Sequence, residues 1–153
     1  MACYFYSHQR FLLDMYMELI EWSDSLSVND KELDEQHKKI LDAINELHEA
    51  LIKGKSSEII DKTLDDLFQY SINHFAAEEK LFEKIDYPGV EAHIEKHNQF
   101  SAKVLEFKEG LKRGKMTLSM DVMEYLISWF IGHIQRVDQE YAKIIKPTNK
   151  ESS

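Results

Sequence analysis

The sequence predicts an all-α protein, an up-down-up-down antiparallel four-helix bundle with an N-terminal arm. Three observations predict it. Apolar residues recur at three- and four-residue spacing in four separate stretches, the spacing of one face of a helix. The 153 residues include only five Gly and two Pro, and most of these fall between the stretches, where such residues punctuate elements. The connections they mark are short, which sets sequential helices antiparallel.

The first helix is expected over 30–53, with Ile40, Ile44, Leu47 and Leu51 on its buried stripe. Gly54-Lys55-Ser56-Ser57 closes it, and Ser57 is the expected N-cap of a second helix over 57–85, striped by Ile60, Leu64, Leu67 and Ile72. Pro88-Gly89 leads into a third helix over 89–112, with Phe100, Val104, Phe107 and Leu111. The stretch from Gly110 to Gly114 ends it. Ser119 then caps a fourth helix over 119–145, carrying Val122, Leu126, Phe130, Ile134 and Val137. The bundle domain is set at 17–145, beginning near Met17–Trp22. Residues 1–16 are aromatic-rich without a clear period and are read as an extension dispensable for the core activity. Residues 146–153, with Pro147 and a polar end, read as a frayed C-terminal tail.

Composition excludes several function classes. Nineteen Lys and Arg against 28 Asp and Glu give a formal charge of −9 with histidine neutral, so no basic stripe is present to bind nucleic acid or an anionic membrane. The single cysteine, Cys3, excludes a disulfide framework and any cysteine-based zinc or iron–sulfur cage, and it fits a reducing compartment, hence the cytoplasm. Cys3 itself is read as an exposed, unimportant thiol. No apolar run approaches the ~18–20 residues of a membrane span. The opening MACYFYSHQRFLLDMYM lacks a basic start and an uninterrupted apolar segment, so no secretion signal is expected.

The seven histidines are the informative residues. His74 and Glu78, and His93 and His97, are each four apart, so each pair presents two metal-ligand groups from adjacent helical turns. Distances from the turns place these pairs at one height. His37 stands 18 residues before Lys55 and His74 stands 19 after it; Glu78 is 10 before Pro88 and His97 is 9 after; His97 and His133 are each 18 from Lys115. At ~1.5 Å rise per residue the mismatches are a single residue's height. The stripes run through these positions, so the layer faces inward. Imidazoles and a carboxylate in an apolar interior cost several kcal/mol in unmet hydrogen bonds unless something binds them. A metal ion meets that need.

His48 lies on nearly the same face as His37 but ~16 Å further along the axis, so it cannot join the layer. It is read as a satisfied or partly exposed histidine, as is His8. Glu79 and Glu83 are read as surface charges. Asp138 follows His133 by five residues, about 140° round an ideal helix, so spacing alone does not select it over Glu140.

Nitrogen ligands with oxygen bridges suit iron, zinc, copper or nickel rather than calcium or magnesium. Five histidines exceed what one tetrahedral zinc needs, so two metals are expected. No Glu-x-x-His occurs, as a ferritin-like carboxylate site would require, and no His-Glu-x-x-His, as a zinc protease would.

The residues Leu33-Asp34-Glu35-Gln36-His37, His74-Phe75-x-x-Glu78-Glu79, Tyr87-Pro88 leading to His93-x-x-x-His97, and Trp129 leading to His133-Ile134-x-x-x-Asp138 resemble the bacterial hemerythrins. The resemblance covers 17–145 and includes Trp22. It implies a non-haem di-iron centre that binds dioxygen reversibly. One iron would be held by His93, His97 and His133 and the other by His37 and His74. Glu78 and Asp138 would bridge both, with an oxo or hydroxo group between the irons. This set fills all but one position of two octahedral irons and leaves that one on the iron with two histidines. Ile40, Phe75, Trp129 and Phe130 neighbour the ligands along their helices and would form an apolar oxygen-pocket wall that excludes water and acid. Phe130 stands where relatives often have a leucine.

The expected function is oxygen storage, transport or delivery by a monomer that is not an enzyme, with a protein acceptor of the oxygen. The alternatives are an oxygen or redox sensor acting through a partner, a di-iron oxidase or peroxidase, and an iron buffer.

Overall fold

The computed structural model describes residues 20–114 and 120–145. The arm 1–16 with Cys3 and His8, the expected cap Ser119 and the tail 146–153 lie outside the described residues.

A short 3-10 turn at Asp24–Leu26 precedes α1, Lys31–Ile52. Then come α2, Ser57–Ile85, and α3, Val90–Lys112. The fourth rod consists of α4, Met120–Gly132, a π-helical segment, His133–Asp138, and α5, Gln139–Ala142. Among the described residues there is no strand. Contacts run between α1 and α2, between α2 and α3, and between α1 and α4, which makes a four-helix bundle.

Local chemistry sets the ends of these helices. The Asp30 carboxylate accepts the Leu33 N–H at 3.0 Å and caps α1. One turn on, Asp34 accepts the Val28 N–H at 2.9 Å and the Ser27 hydroxyl at 2.6 Å, which folds the preceding loop over the helix start. Asn29, in the left-handed region at φ 64°, donates from its side-chain amide to the Ala142 carbonyl at 3.2 Å. The Gln139 amide donates to the Ser27 carbonyl at 3.2 Å. These bonds tie the start of α1 to the end of the fourth rod. Helix α1 ends at Lys53-Gly54, where Gly54 takes φ +60°, a conformation glycine adopts without strain.

Two details differ from the sequence reading. Ser57 is the first helical residue of α2, and Ser56 is its N-cap, with no side-chain cap bond. Ile72 is 36% exposed, while Ser71 takes the buried position and donates its hydroxyl to the Leu67 carbonyl at 2.9 Å. A 3.6-residue period drifts across a 29-residue helix, so its stripe does not stay on the same offsets throughout.

The interior has two apolar regions. The larger includes Ile40, Ile44, Leu47, Leu64, Leu67, Phe75, Phe100, Val104, Leu126, Phe130 and Ile134. The smaller contains Val28, Leu33, Phe82, Tyr141 and Ala142. In sequence, the chemistry falls between them: His37 lies between Leu33 and Ile40, and Glu78 between Phe75 and Phe82. A polar layer is thus closed by apolar side chains above and below.

Candidate metal centre

His37, His74, Glu78, His93, His97, His133 and Asp138 are all buried, with Glu78 and Asp138 at zero exposure. Each helix delivers its share by ordinary periodicity, except at the end of the fourth rod. There the backbone is π-helical from His133 to Asp138, and the i→i+5 bonding of such a turn puts residues five apart on one face. The 140° offset of an ideal α-helix therefore does not apply. The His133 Nε2 and an Asp138 carboxylate oxygen lie 3.0 Å apart.

The donors divide into two pockets joined by the carboxylates. Glu78 Oε1 faces the His74 Nε2 at 3.3 Å and the His37 Nε2 at 4.0 Å, while its Oε2 faces the His97 Nε2 at 3.0 Å and the His93 Nε2 at 3.6 Å. Asp138 divides in the same way. Its Oδ2 faces the His37 Nε2 at 3.2 Å, and its Oδ1 faces the His93 and His133 Nε2 atoms at 3.2 and 3.0 Å. Among the described residues, two groups of donors lie within 4.8 Å of one another: Glu78, His93, His97 and His133, and His37, His74, Glu78 and Asp138. Glu78 belongs to both.

The donors fit metal ions. The His133 Nε2 lies 3.2 Å from the His97 Nε2 and 3.1 Å from the His93 Nε2. Ligands held at about 2.1 Å from one ion and at right angles are about 3.0 Å apart. Both nitrogens of His37, the His74 Nε2, Glu78 Oε2 and both Asp138 oxygens are buried without a hydrogen-bond partner. Several such groups in one apolar interior would each cost about 1–3 kcal/mol. A bound cation removes that cost.

Electrostatics within the metal-free layer point the same way. Burial pushes the Glu78 carboxyl up, but the charge and close approach of His74, with the approach of His93 and His97, outweigh it and hold the group well below the carboxylate range. Asp138 is pushed up by burial and by Glu78, yet the close approach of His133, His37 and His93 holds it low as well. Burial lowers His93, and the Asp138 and Glu78 carboxylates beside it more than reverse this, raising it to about 9.

The signs give a prediction for the metal-free chain. The His93 contribution is complete below its unfolded pKa of about 6.5 and is lost as pH rises through about 9. The carboxylate contribution is complete above about 4.5 and is lost on acidification. Thermal melting after chelation is expected to give the highest midpoint between about pH 5 and 6.5, falling toward pH 9. A midpoint that rises steadily to pH 9 would contradict this arrangement.

Two outer partners escaped the sequence reading. The Tyr141 hydroxyl, fully buried, donates to Glu78 Oε1 at 2.6 Å. The His74 Nδ1 lies 2.9 Å from the Gln36 side-chain oxygen. The bonds from Tyr141 and Gln36 fix ligand orientation and basicity. Glu79, expected to be a surface charge, is 40% exposed, and its carboxylate stands 3.6 Å from the His97 Nδ1, beyond hydrogen-bond distance. His48 is absent from both donor groups, as expected, but it is buried rather than partly exposed: its Nε2 has no partner and burial lowers its pKa.

The expected wall residues sit unequally around the layer. Phe75 stacks on the His97 ring at 3.9 Å and Trp129 on the His133 ring at 4.4 Å. Phe130 packs against Trp129 and Phe100, and Ile40 is fully buried in the larger core. Trp129 is half-buried and borders a shallow surface depression with Tyr125 and Ser128. No helix among the described residues is long and apolar enough to cross a membrane.

A family profile described as the hemerythrin HHE cation binding domain matches residues 28–145. The chain is 33% identical over 133 residues to a bacteriohemerythrin of Stenotrophomonas maltophilia, covering 85% of this chain and 84% of that protein. It is 31% identical over 126 residues to a bacteriohemerythrin of Methylococcus capsulatus, covering 82% and 95%. A solved wild-type hemerythrin is similar with a TM-score of 0.78 at 28% identity, covering 82% of this chain and 97% of that one. A point mutant of hemerythrin gives 0.79 at 29% identity, covering 84% and 98%. The profile takes in all seven donors of the buried layer, and the chain belongs to the hemerythrin family.

Proposed function

We propose that this chain holds two iron ions in the buried layer and binds dioxygen reversibly there, as a carrier or store rather than an enzyme. The observation that carries the reading is the convergence of five imidazoles on two shared carboxylates in an apolar interior. His93, His97 and His133 would hold one iron and His37 and His74 the other, with Glu78 and Asp138 shared. An iron pair held there would supply the electrons that dioxygen binding needs and take them back on release.

The protein's own residues keep that chemistry reversible. Phe75, Trp129, Phe130 and Ile40 make the surroundings apolar, so water and external acid are kept from the centre. The nearby O–H of Tyr141 is committed to Glu78 Oε1, and burial pushes that phenol far above its usual range, so it keeps its proton. Without a ready proton, reduced oxygen has no easy exit as peroxide or water. Carriage is favoured over turnover.

The test is spectroscopic. Reduced, iron-loaded protein is expected to gain a visible absorption band in air and to lose it under argon over repeated cycles, with about two irons per chain. Irreversible bleaching in the first cycle, or steady consumption of oxygen, would overturn the carrier reading.

A further inference from the structure

We propose that Tyr141 is the positioning residue that decides how tightly the His37/His74 half of this centre keeps its metal. The inference rests on reading the layer as a two-metal centre.

Two observations carry it. The donor count differs, with three imidazoles around one pocket and two around the other. Each further imidazole adds a ligand bond, so the three-imidazole pocket is the stronger one. Lastly, the Tyr141 hydroxyl reaches only Glu78 Oε1, the oxygen on the His37/His74 side.

The terminal torsion of a glutamate is broad, so the chain geometry of Glu78 does not by itself fix where its two oxygens point. The hydroxyl fixes it. Its bond occupies one lone pair of Oε1 and leaves the other for the pocket. The phenol is itself immobile, held by Phe82 at 5.1 Å and His93 at 5.7 Å between ring centroids. On the other side, Oε2 lies between the His97 and His93 nitrogens, and three rings define that pocket without help from the hydroxyl. In the His37/His74 pocket Oε1 is one of only four donor atoms, so misplacing it removes a larger share of the binding.

Loading should therefore proceed in two steps, first at His93/His97/His133 and then at His37/His74, with Tyr141 acting on the second. The experiment is stepwise addition of Co2+ to the metal-free full chain, followed by visible absorption and calorimetry. Wild-type protein is expected to show two resolved steps, and His74→Ala should keep the first and lose the second. Tyr141→Phe removes one oxygen and keeps the ring packing. It is expected to weaken the second step tenfold or more while changing the first less than about threefold. Equal weakening of both steps, or no change in either, would overturn the inference and leave the two-metal reading standing. Failure of the wild-type chain to take up Co2+ at all would overturn that reading, and the inference with it.

Discussion

Glu78→Ala is expected to strip the chain of both metals. Glu78 stands in both donor groups, with one oxygen toward each pocket. Its removal takes a ligand from each site and leaves the Tyr141 hydroxyl buried without its acceptor. Disturbing an outer partner alone costs roughly 10–100-fold in metal affinity, and losing a shared ligand costs more at both sites at once. Iron content by elemental analysis should fall from about two per chain to well below one. His48→Ala is the control: it removes a buried imidazole that belongs to neither group, so about two irons should remain. Loss of iron in the His48 variant with retention in the Glu78 variant would refute the placement of the centre.

Removing the metal should cost the fold more than any single substitution in its apolar core. A ligand at a thousandfold excess over its dissociation constant stabilises the folded state by about 4 kcal/mol, so two ions contribute about 8 kcal/mol. At this chain length each kcal/mol moves the melting temperature by roughly 2–4 °C. Chelation is thus expected to lower the midpoint by roughly 15–30 °C in a calorimetric scan, and readdition of iron should restore it. The cause lies in the orphaned atoms: without an ion, His37, His74, Glu78 and Asp138 keep buried nitrogens and oxygens that nothing else satisfies. A metal-free chain as stable as the loaded one would show that these groups are not jointly burdened.

The helices were legible because their apolar stripes and breaks are local signals; Gly54 and the Asp86-Tyr87-Pro88 turn stand where the periodicity fails. The layer was legible because antiparallel hairpins turn sequence distance from a loop into height, which links His37 to His74 and His97 to His133. Asp138 was not decidable by spacing, since the π-turn that carries it round to His133 is a departure from the α period that the arithmetic assumes. The resemblance to bacterial hemerythrins selected it instead. Tyr141 left no trace in any pattern: three residues beyond Asp138, it has the position and character of an ordinary core aromatic, and only the packing shows its hydroxyl on Glu78. Glu79 stays a surface charge, 40% exposed, although it stands beside an inward-facing ligand and its carboxylate comes within 3.6 Å of His97 on the neighbouring helix. Helical period assigns a side chain's direction but not its reach.

The seven buried donors are expected to hold two irons in one compartment. An anomalous difference map at the iron edge, from crystals of the iron-loaded chain, tests it most directly. Two peaks are expected inside the bundle, one among His93, His97 and His133 and the other beside His37 and His74, with Glu78 and Asp138 reaching both. A map with iron confined to surface carboxylates, or with none in the interior, would contradict the account.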